Sequence, residues 1–214
     1  MHVIAVLNQK GGAGKTTVAT HLARAIQLTG ADVVLVDSDP QGSVRDWAAV
    51  REDQPLPVIA IDRPTIERDL GRIVRGKDYA IIDGAPQAHD LAVSAIKAAD
   101  LVLIPVQPSP YDVWATSDLV DLVMQRQELA DGRPLAAFLV SRAIRGTRIE
   151  AEASRALAGY GLPVLEARIM QRVIYPGSAA EGTTVLDQAP GSNAAREVRR
   201  MADAVVQFIN SSVE

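Results

Sequence analysis

A doubly wound α/β fold, a mostly parallel sheet flanked by helices, is the class this sequence predicts, and three observations predict it. Short runs rich in Val and Ile alternate with longer amphipathic stretches along the whole chain, the pattern of parallel strands joined by covering helices. The short runs are apolar almost without interruption, as expected of strands buried on both faces. Between them stand isolated turn signals rather than linkers, as at Gln54-Pro55-Leu56-Pro57, Gly132-Arg133-Pro134 and Pro190-Gly191-Ser192. With 214 residues and no repeat or low-complexity tract, the chain reads as one domain over residues 1–214.

In chain order, strands are expected at Val3–Leu7, Val33–Val36, Val58–Ile61, Tyr79–Ile82, Leu101–Val106 and Ala136–Val140, with a weaker one near Val164. Helices are expected at 15–29, 43–51, 65–75, 88–98, 113–130, 148–159, 172–181 and 194–211. The last places Ala194, Val198, Met201, Val205, Phe208 and Ile209 at spacings of three and four, with Arg196, Arg199 and Arg200 turned elsewhere, so it covers the sheet. In such folds ligands bind beyond the carboxyl ends of the strands. The residues just past each strand are therefore the candidates for chemistry.

Composition narrows the classes. Hydrophobic residues make up 48% and charged residues 22%, ordinary for a globular chain. No uncharged apolar run reaches the ~18 residues of a membrane span. Met1-His2-Val3-Ile4-Ala5-Val6-Leu7 has no basic lead and runs straight into a glycine-rich loop, so it reads as a buried strand and not as a secretion signal. Zero cysteines exclude disulfides, thiolate metal sites and iron–sulfur clusters, and are compatible with a reducing cytosol. A net charge of −4 argues against a globally basic nucleic-acid binder. Locally, though, residues 142–172 carry six arginines (Arg142, Arg145, Arg148, Arg155, Arg168, Arg172) against three glutamates. Lysine occurs only at positions 10, 15, 77 and 97, and two of those flank the glycine loop.

That loop is Lys10-Gly11-Gly12-Ala13-Gly14-Lys15-Thr16-Thr17, set between a predicted strand and a predicted helix, the context a phosphate-binding loop requires. Its glycines let successive backbone N–H groups turn inward as an anion nest at the positive end of a helix. Lys15 would reach the β- and γ-phosphates, the Thr16 hydroxyl would meet Mg²⁺, and Thr17 an α-phosphate oxygen. The strict G-x-x-x-x-G-K-[ST] pattern fails, because Gln9 stands where it asks for glycine. The second strand ends in Asp37-Ser38-Asp39-Pro40-Gln41-Gly42, and the fourth in Asp83-Gly84-Ala85-Pro86. A carboxylate at the end of a buried apolar strand is costly unless it meets a cation, so Asp83 fits a metal-holding role. Asp37 and Asp39 also fit a turn that opens a helix.

These motifs resemble the ParA/MinD superfamily of ATPases with a deviant Walker A loop. The D-G-A sequence after the fourth strand is similar to the short ParF-like partition branch. The resemblance implies ATP and Mg²⁺ as cofactors. Lys10 would reach the nucleotide of a partner subunit in an ATP-bound homodimer. By D-x-D-P-Q, Asp39 would position the attacking water, while Asp37 supports the metal's water shell and Asp83 is the Walker B aspartate. Gly84 replaces the usual threonine, which puts any hydroxyl link from that loop to the γ-phosphate in doubt. Pro105-Val106-Gln107-Pro108-Ser109-Pro110 is similar to a proline-rich stretch that helps form the ParF dimer, and also fits a stiff connection. The base would lie near Ser141-Arg142 and Met170-Gln171-Arg172-Val173, with Arg142 and Met170 as its contacts. The family function implied is segregation of plasmid or other DNA, in the cytoplasm on the nucleoid. It would use non-specific DNA binding through the arginine-rich stretch and a ParB- or ParG-like centromere-binding partner. Three alternatives are weighed. A MinD-like membrane-positioning ATPase is disfavoured because Phe208-Ile209-Asn210-Ser211-Ser212-Val213-Glu214 has no basic face at its tip. A metabolite-phosphorylating or ligase enzyme on the same fold would lack Lys10 together with D-P-Q. A pure DNA-binding scaffold would show no turnover.

Overall fold

The computed structural model of the chain describes residues 1–86 and 88–211. Seven parallel strands are ordered β3-β2-β4-β1-β5-β6-β7. They are β1 (His2–Val6), β2 (Val33–Asp37), β3 (Val58–Ala60), β4 (Tyr79–Asp83), β5 (Leu101–Val106), β6 (Leu135–Ala143) and β7 (Val164–Met170). Between and after them run α1 (Lys15–Gln27), α2 (Ser43–Ala49), α3 (Ile66–Ile73), α4 (His89–Ala98), α5 (Pro110–Trp114) and α6 (Ser117–Leu129). The chain continues through α7 (Arg148–Ala158), α8 (Ile174–Ala180), α9 (Val185–Gln188) and α10 (Asn193–Asn210).

Strand periodicity sorts the core into two layers. Ile4 and Val6 of β1, Leu35 of β2 and Leu103 of β5 join the face covered by α1, α2, α9 and α10. Val3, Ala5 and Leu7, with Val34, Val36, Val102 and Ile104, join the face under α3, α4, α6 and α7. The all-apolar strand runs are thus explained residue by residue, since both sets of alternate side chains are buried. Chain order leaves β1 for β2 on one side and later crosses to β5 on the other. The carboxyl end of β1 therefore lies at the switch of direction, where such sheets bind ligands.

Two features differ from expectation. The helix expected over 113–130 is broken into α5 and α6, and starts earlier, because Pro110 suits a first helical turn. The break falls at Ala115 and Thr116, where the Thr116 hydroxyl donates to the Val113 carbonyl at 2.6 Å and competes with the helix's own ladder. The short α9 was not expected at all. Four residues show no period, and its start depends on the Thr184 hydroxyl accepting the Leu186 N–H. Ser212, Val213 and Glu214, which belong to the tip read as lacking a basic face, lie outside the described residues.

Candidate nucleotide-binding and catalytic site

The chain leaves β1 at Val6 and re-enters helix at Lys15. Gly12 and Gly14 take left-handed backbone angles, φ 79° and 91°, which a side-chain-bearing residue there would strain against. The loop is pinned from outside. Asn8, buried, donates from Nδ2 to the Pro105 carbonyl at 2.8 Å and accepts the Lys10 N–H at 2.8 Å. Gln107 donates to the Gly12 carbonyl at 2.7 Å, and the Ser141 hydroxyl donates to the Ala13 carbonyl at 2.8 Å. Carbonyls are thus drawn outward onto β5 and β6, which leaves N–H groups for the interior of the loop.

Lys15 is 7% exposed, and its ammonium donates to the Lys10 carbonyl at 3.1 Å. Burial lowers its pKa, while Asp83 and Asp39 act the other way. Thr16 opens the helix beside it and donates from its hydroxyl to Asp83 Oδ2 at 2.7 Å. The other oxygen, Asp83 Oδ1, is buried with no hydrogen-bond partner. Burial, opposed by the Thr16 hydroxyl and reinforced by the Asp37 and Asp39 charges, pushes the Asp83 carboxyl up to about 7. An orphaned buried acceptor beside a hydroxyl, with two further aspartates close by, is a donor set that fits a Mg²⁺ ion. Among the described residues, no three Asp, Glu or His side chains are placed so that they could together ligate a metal ion. Most ligands of such an ion would therefore be water and phosphate oxygens, as is usual for Mg²⁺.

This geometry carries a pH prediction. Between about 4 and about 7 the folded protein holds a proton on Asp83 that the unfolded chain releases, so stability falls as pH rises through that window. The loss is on the order of 4 kcal/mol when complete. Asp83→Asn keeps the acceptor for Thr16 and removes the charge. In the nucleotide-free state it should melt several degrees above the wild type at pH 8 and near it at pH 5, as read by thermal unfolding across pH. Parallel pH profiles for the two proteins would refute this.

Asp37 and Asp83 are register partners at the ends of β2 and β4. Asp37 is fully buried, with Oδ1 accepting the Asp39 N–H at 3.1 Å and Oδ2 accepting the Arg45 N–H at 3.0 Å and Arg45 Nε at 3.3 Å. It thereby anchors the start of α2 and the loop that carries Asp39. Asp39, half-buried, accepts the Gln41 N–H on Oδ1 at 2.9 Å. No group among the described residues donates to its Oδ2.

Beside the loop, Gly14, Thr17, Ser141, Arg142, Met170 and Tyr175 line a cavity of about 630 Å³. Arg142 holds a left-handed φ of 50° at the end of β6. Two of the lining residues, Thr17 and Tyr175, are held by His21, which is buried in α1. Its Nδ1 donates to the Thr17 carbonyl at 2.7 Å, its Nε2 accepts the Val185 N–H at 3.2 Å, and its ring meets Tyr175 edge-on at 5.2 Å. Burial lowers its pKa to about 4, so the neutral ring with that tautomer is the working form.

The Lys10 side chain is engaged by α5. Its ammonium pairs at 3.0 Å with Asp112 Oδ2, while Asp112 Oδ1 is buried and unpartnered. Around the cleft stand exposed apolar side chains: Tyr111 and Trp114 on α5, Ile144 after β6, and Val173 at 89% exposure. Arg145, Arg168, Arg172, Arg196 and Arg200 line an adjoining cavity of about 470 Å³. Arg172 is paired with Glu197 and Arg168 with Glu150. Among the described residues, Arg145 and Arg200 form no ion pair.

The structure thus brings Gly11, Gly12, Ala13, Gly14, Lys15, Thr16 and Thr17 together with Asp83 and Asp39, and sets Arg142 and Met170 on the neighbouring cavity. It turns Asp37 toward α2 and Lys10 toward Asp112. Sequence reasoning missed Asn8, His21 and Asp112 as supports. Of these only Asn8, next to the loop, carried a local signal.

A parallel doubly wound sheet whose first strand feeds such a loop, with a hydroxyl–carboxylate pair at the adjoining strand end, defines a P-loop nucleotide-binding protein. The chain belongs to the CobQ/CobB/MinD/ParA nucleotide-binding domain family, whose profile matches residues 4–185. The maintenance of carboxysome distribution protein A of Gloeobacter kilaueensis is 34% identical, over 94% of this chain and 92% of that protein. The chromosome-partitioning ATPase Soj of Thermus thermophilus is 29% identical, over 98% and 97%. The solved ATP complex of Cyanothece McdA shares the fold with a TM-score of 0.78, at 18% identity over 96% of each chain.

Proposed function

We propose that this protein is a ParA-type positioning ATPase. It hydrolyses ATP with Mg²⁺, dimerises when ATP is bound, holds DNA without sequence preference, and responds to a cargo-bound partner protein. The observation that carries this reading is Lys10. In the single chain its ammonium is held by Asp112, on the short helix that also carries the exposed Tyr111 and Trp114, apolar surface that a second copy would cover.

In this reading, backbone N–H groups of residues 11–16 embrace the phosphates, and Lys15 binds the β- and γ-phosphates. Thr17 meets the α-phosphate, while Arg142 and Met170 flank the base. Thr16 and Asp83 would hold Mg²⁺ within the field of Asp37, and the ion would supply neutralisation of phosphate charge. Asp39 orients the attacking water. Lys10 of the second copy adds a cation where charge develops in the transition state. The arginine-lined cavity and Arg142, Arg145 and Arg200 supply a DNA-backbone surface, and nucleoid association in the cytoplasm follows. No helix among the described residues is long and apolar enough to cross a membrane.

The cargo is a replicon moved with a ParB- or ParG-like partner, as sequence motifs alone suggest, or a carboxysome-like body. Two carboxysome distribution proteins, 29% and 34% identical to this chain, support the second beside Soj at 29%. Sedimentation with ATP, ADP or no nucleotide, with and without non-specific DNA, tests the common cycle. A dimer that retains DNA only with ATP is expected, with retention falling steeply as salt rises. Equal retention in ADP and ATP would defeat the switch, and retention without any hydrolysis would leave only a scaffold.

A further inference from the structure

We propose that His21 is a positioning residue for the base. It ties the wall that carries Tyr175 to the helix that follows the phosphate loop, and so sets ATP affinity through the base and not through the phosphates. This rests on the reading above that places the base in the cavity between Gly14 and Tyr175.

Two backbone partners fix what the ring does. The Thr17 carbonyl, 2.7 Å from Nδ1, can only accept, and the Val185 N–H, 3.2 Å from Nε2, can only donate. The opposite tautomer would set donor against donor at Val185 and acceptor against acceptor at Thr17. One bond thus lies in the first turn of α1, and the other reaches 164 positions along the chain to the start of α9. Val185 is the first residue of α9, so its N–H has no acceptor within that helix. Both residues are buried, and solvent has no ready way to replace the bond. Thr17 and Tyr175 both line the cavity, and the Tyr175 ring packs edge-on against the same imidazole.

The wall is fastened elsewhere too. Trp47 Nε1 on α2 donates to the Thr183 carbonyl at 3.1 Å, and Gln54 donates to the Gly182 carbonyl at 3.0 Å. Further along α1, away from the loop, Arg24 pairs with Asp187 at 2.6 Å. Loss of the His21 bonds therefore leaves the segment attached to the fold and removes the tie that lies nearest the phosphate loop. A buried N–H left without an acceptor drives its backbone toward another one, and the connected α8 moves with it. The phosphate loop itself stays in place, because Asn8, Gln107 and Ser141 hold it independently of this wall.

Calorimetric titration with Mg·ATP, and separately with Mg²⁺ and inorganic triphosphate, tests this on variants whose cooperative melting shows them folded. His21→Phe keeps a ring and loses both hydrogen bonds. It is expected to weaken ATP by about tenfold and to leave inorganic triphosphate within about twofold of the wild type. Val185→Pro removes the donor instead. Proline suits a first helical residue that follows the extended Thr184, at φ −118° and ψ 163°. The same selective loss is expected there, so the test stands if one variant fails to fold. His21→Gln supplies an acceptor for the Val185 N–H and should recover most of the ATP affinity lost in His21→Phe. Unchanged ATP affinity in the folded variants would overturn the proposal. So would equal losses of ATP and triphosphate, or a Gln variant no better than Phe. Met170→Trp, which fills the same cavity, tests the underlying reading. If it binds ATP as the wild type does, the base lies elsewhere and that reading fails. Loss of ATP there, with normal ATP binding by His21→Phe, sinks the role of His21 alone.

Discussion

Lys15→Ala is expected to weaken Mg·ATP binding by about a hundredfold or more, roughly 3 kcal/mol. The size follows from where the ammonium sits. At 7% exposure, Lys15 has already given up most of its hydration in the nucleotide-free protein, so little further desolvation opposes its contact with phosphate. Burial lowers its pKa, and the neighbouring Asp83 and Asp39 support the charged form. Truncation also leaves those carboxylates, with Asp37, facing an incoming polyanion with no cation between. The folded state should be little affected, because the lost contact is one hydrogen bond to the Lys10 carbonyl at 3.1 Å. An equilibrium titration of Mg·ATP, beside a thermal melt of the same sample, separates affinity from folding. An unchanged Kd in a folded variant would remove Lys15 from the phosphates.

Much of this site was legible because its parts are local. A glycine loop between a strand and a helix carries its geometry within eight residues, and Asp37 and Asp83 announce themselves as charges closing apolar runs. Five of the strands, β1, β2, β4, β5 and β6, were visible for the same reason, each being a short apolar run buried on both faces, whereas the edge strands β3 and β7 are partly exposed and less regular in sequence. What was illegible depends on partners far along the chain. Nothing near Lys10 says that Asp112 will hold it, and nothing near His21 says that Val185 will need its Nε2. Gly84 shows the limit well. From the sequence it was a missing threonine hydroxyl; in the structure its backbone N–H donates to the Val6 carbonyl at 3.1 Å and a Cβ there would strike Leu7. Gly84 is thus matched to the packing of β1 against β4, a relation between strands that no local window contains. The broken helix at Ala115–Thr116 failed for the opposite reason: its apolar period continues across the break, while the competing hydrogen bond comes from a single hydroxyl.

Asp39→Ala is expected to cut ATP turnover by about a hundredfold or more while leaving ATP binding and ATP-dependent dimerisation in place. The loop that carries Asp39 does not depend on its carboxylate. Asp37 holds the Asp39 backbone N–H at 3.1 Å and the Arg45 N–H at 3.0 Å, and Arg45 reaches back to the Asp39 carbonyl at 3.1 Å. The Asp39 carboxylate itself uses one oxygen on the Gln41 N–H at 2.9 Å, which leaves the other to orient a water. Removing it also takes one negative charge away from the phosphates, so ATP should bind at least as well, and the dimer should accumulate in the ATP state. Asp39→Asn distinguishes the two uses of the side chain. Its amide oxygen can still accept the Gln41 N–H, but its neutral group cannot draw on a water's proton as a carboxylate does. Steady-state hydrolysis and sedimentation on both variants decide the matter. If Asn restores turnover, the carboxylate serves the turn; if both variants lose dimerisation as well, Asp39 belongs to the architecture of the interface and the attacking water is oriented by another group.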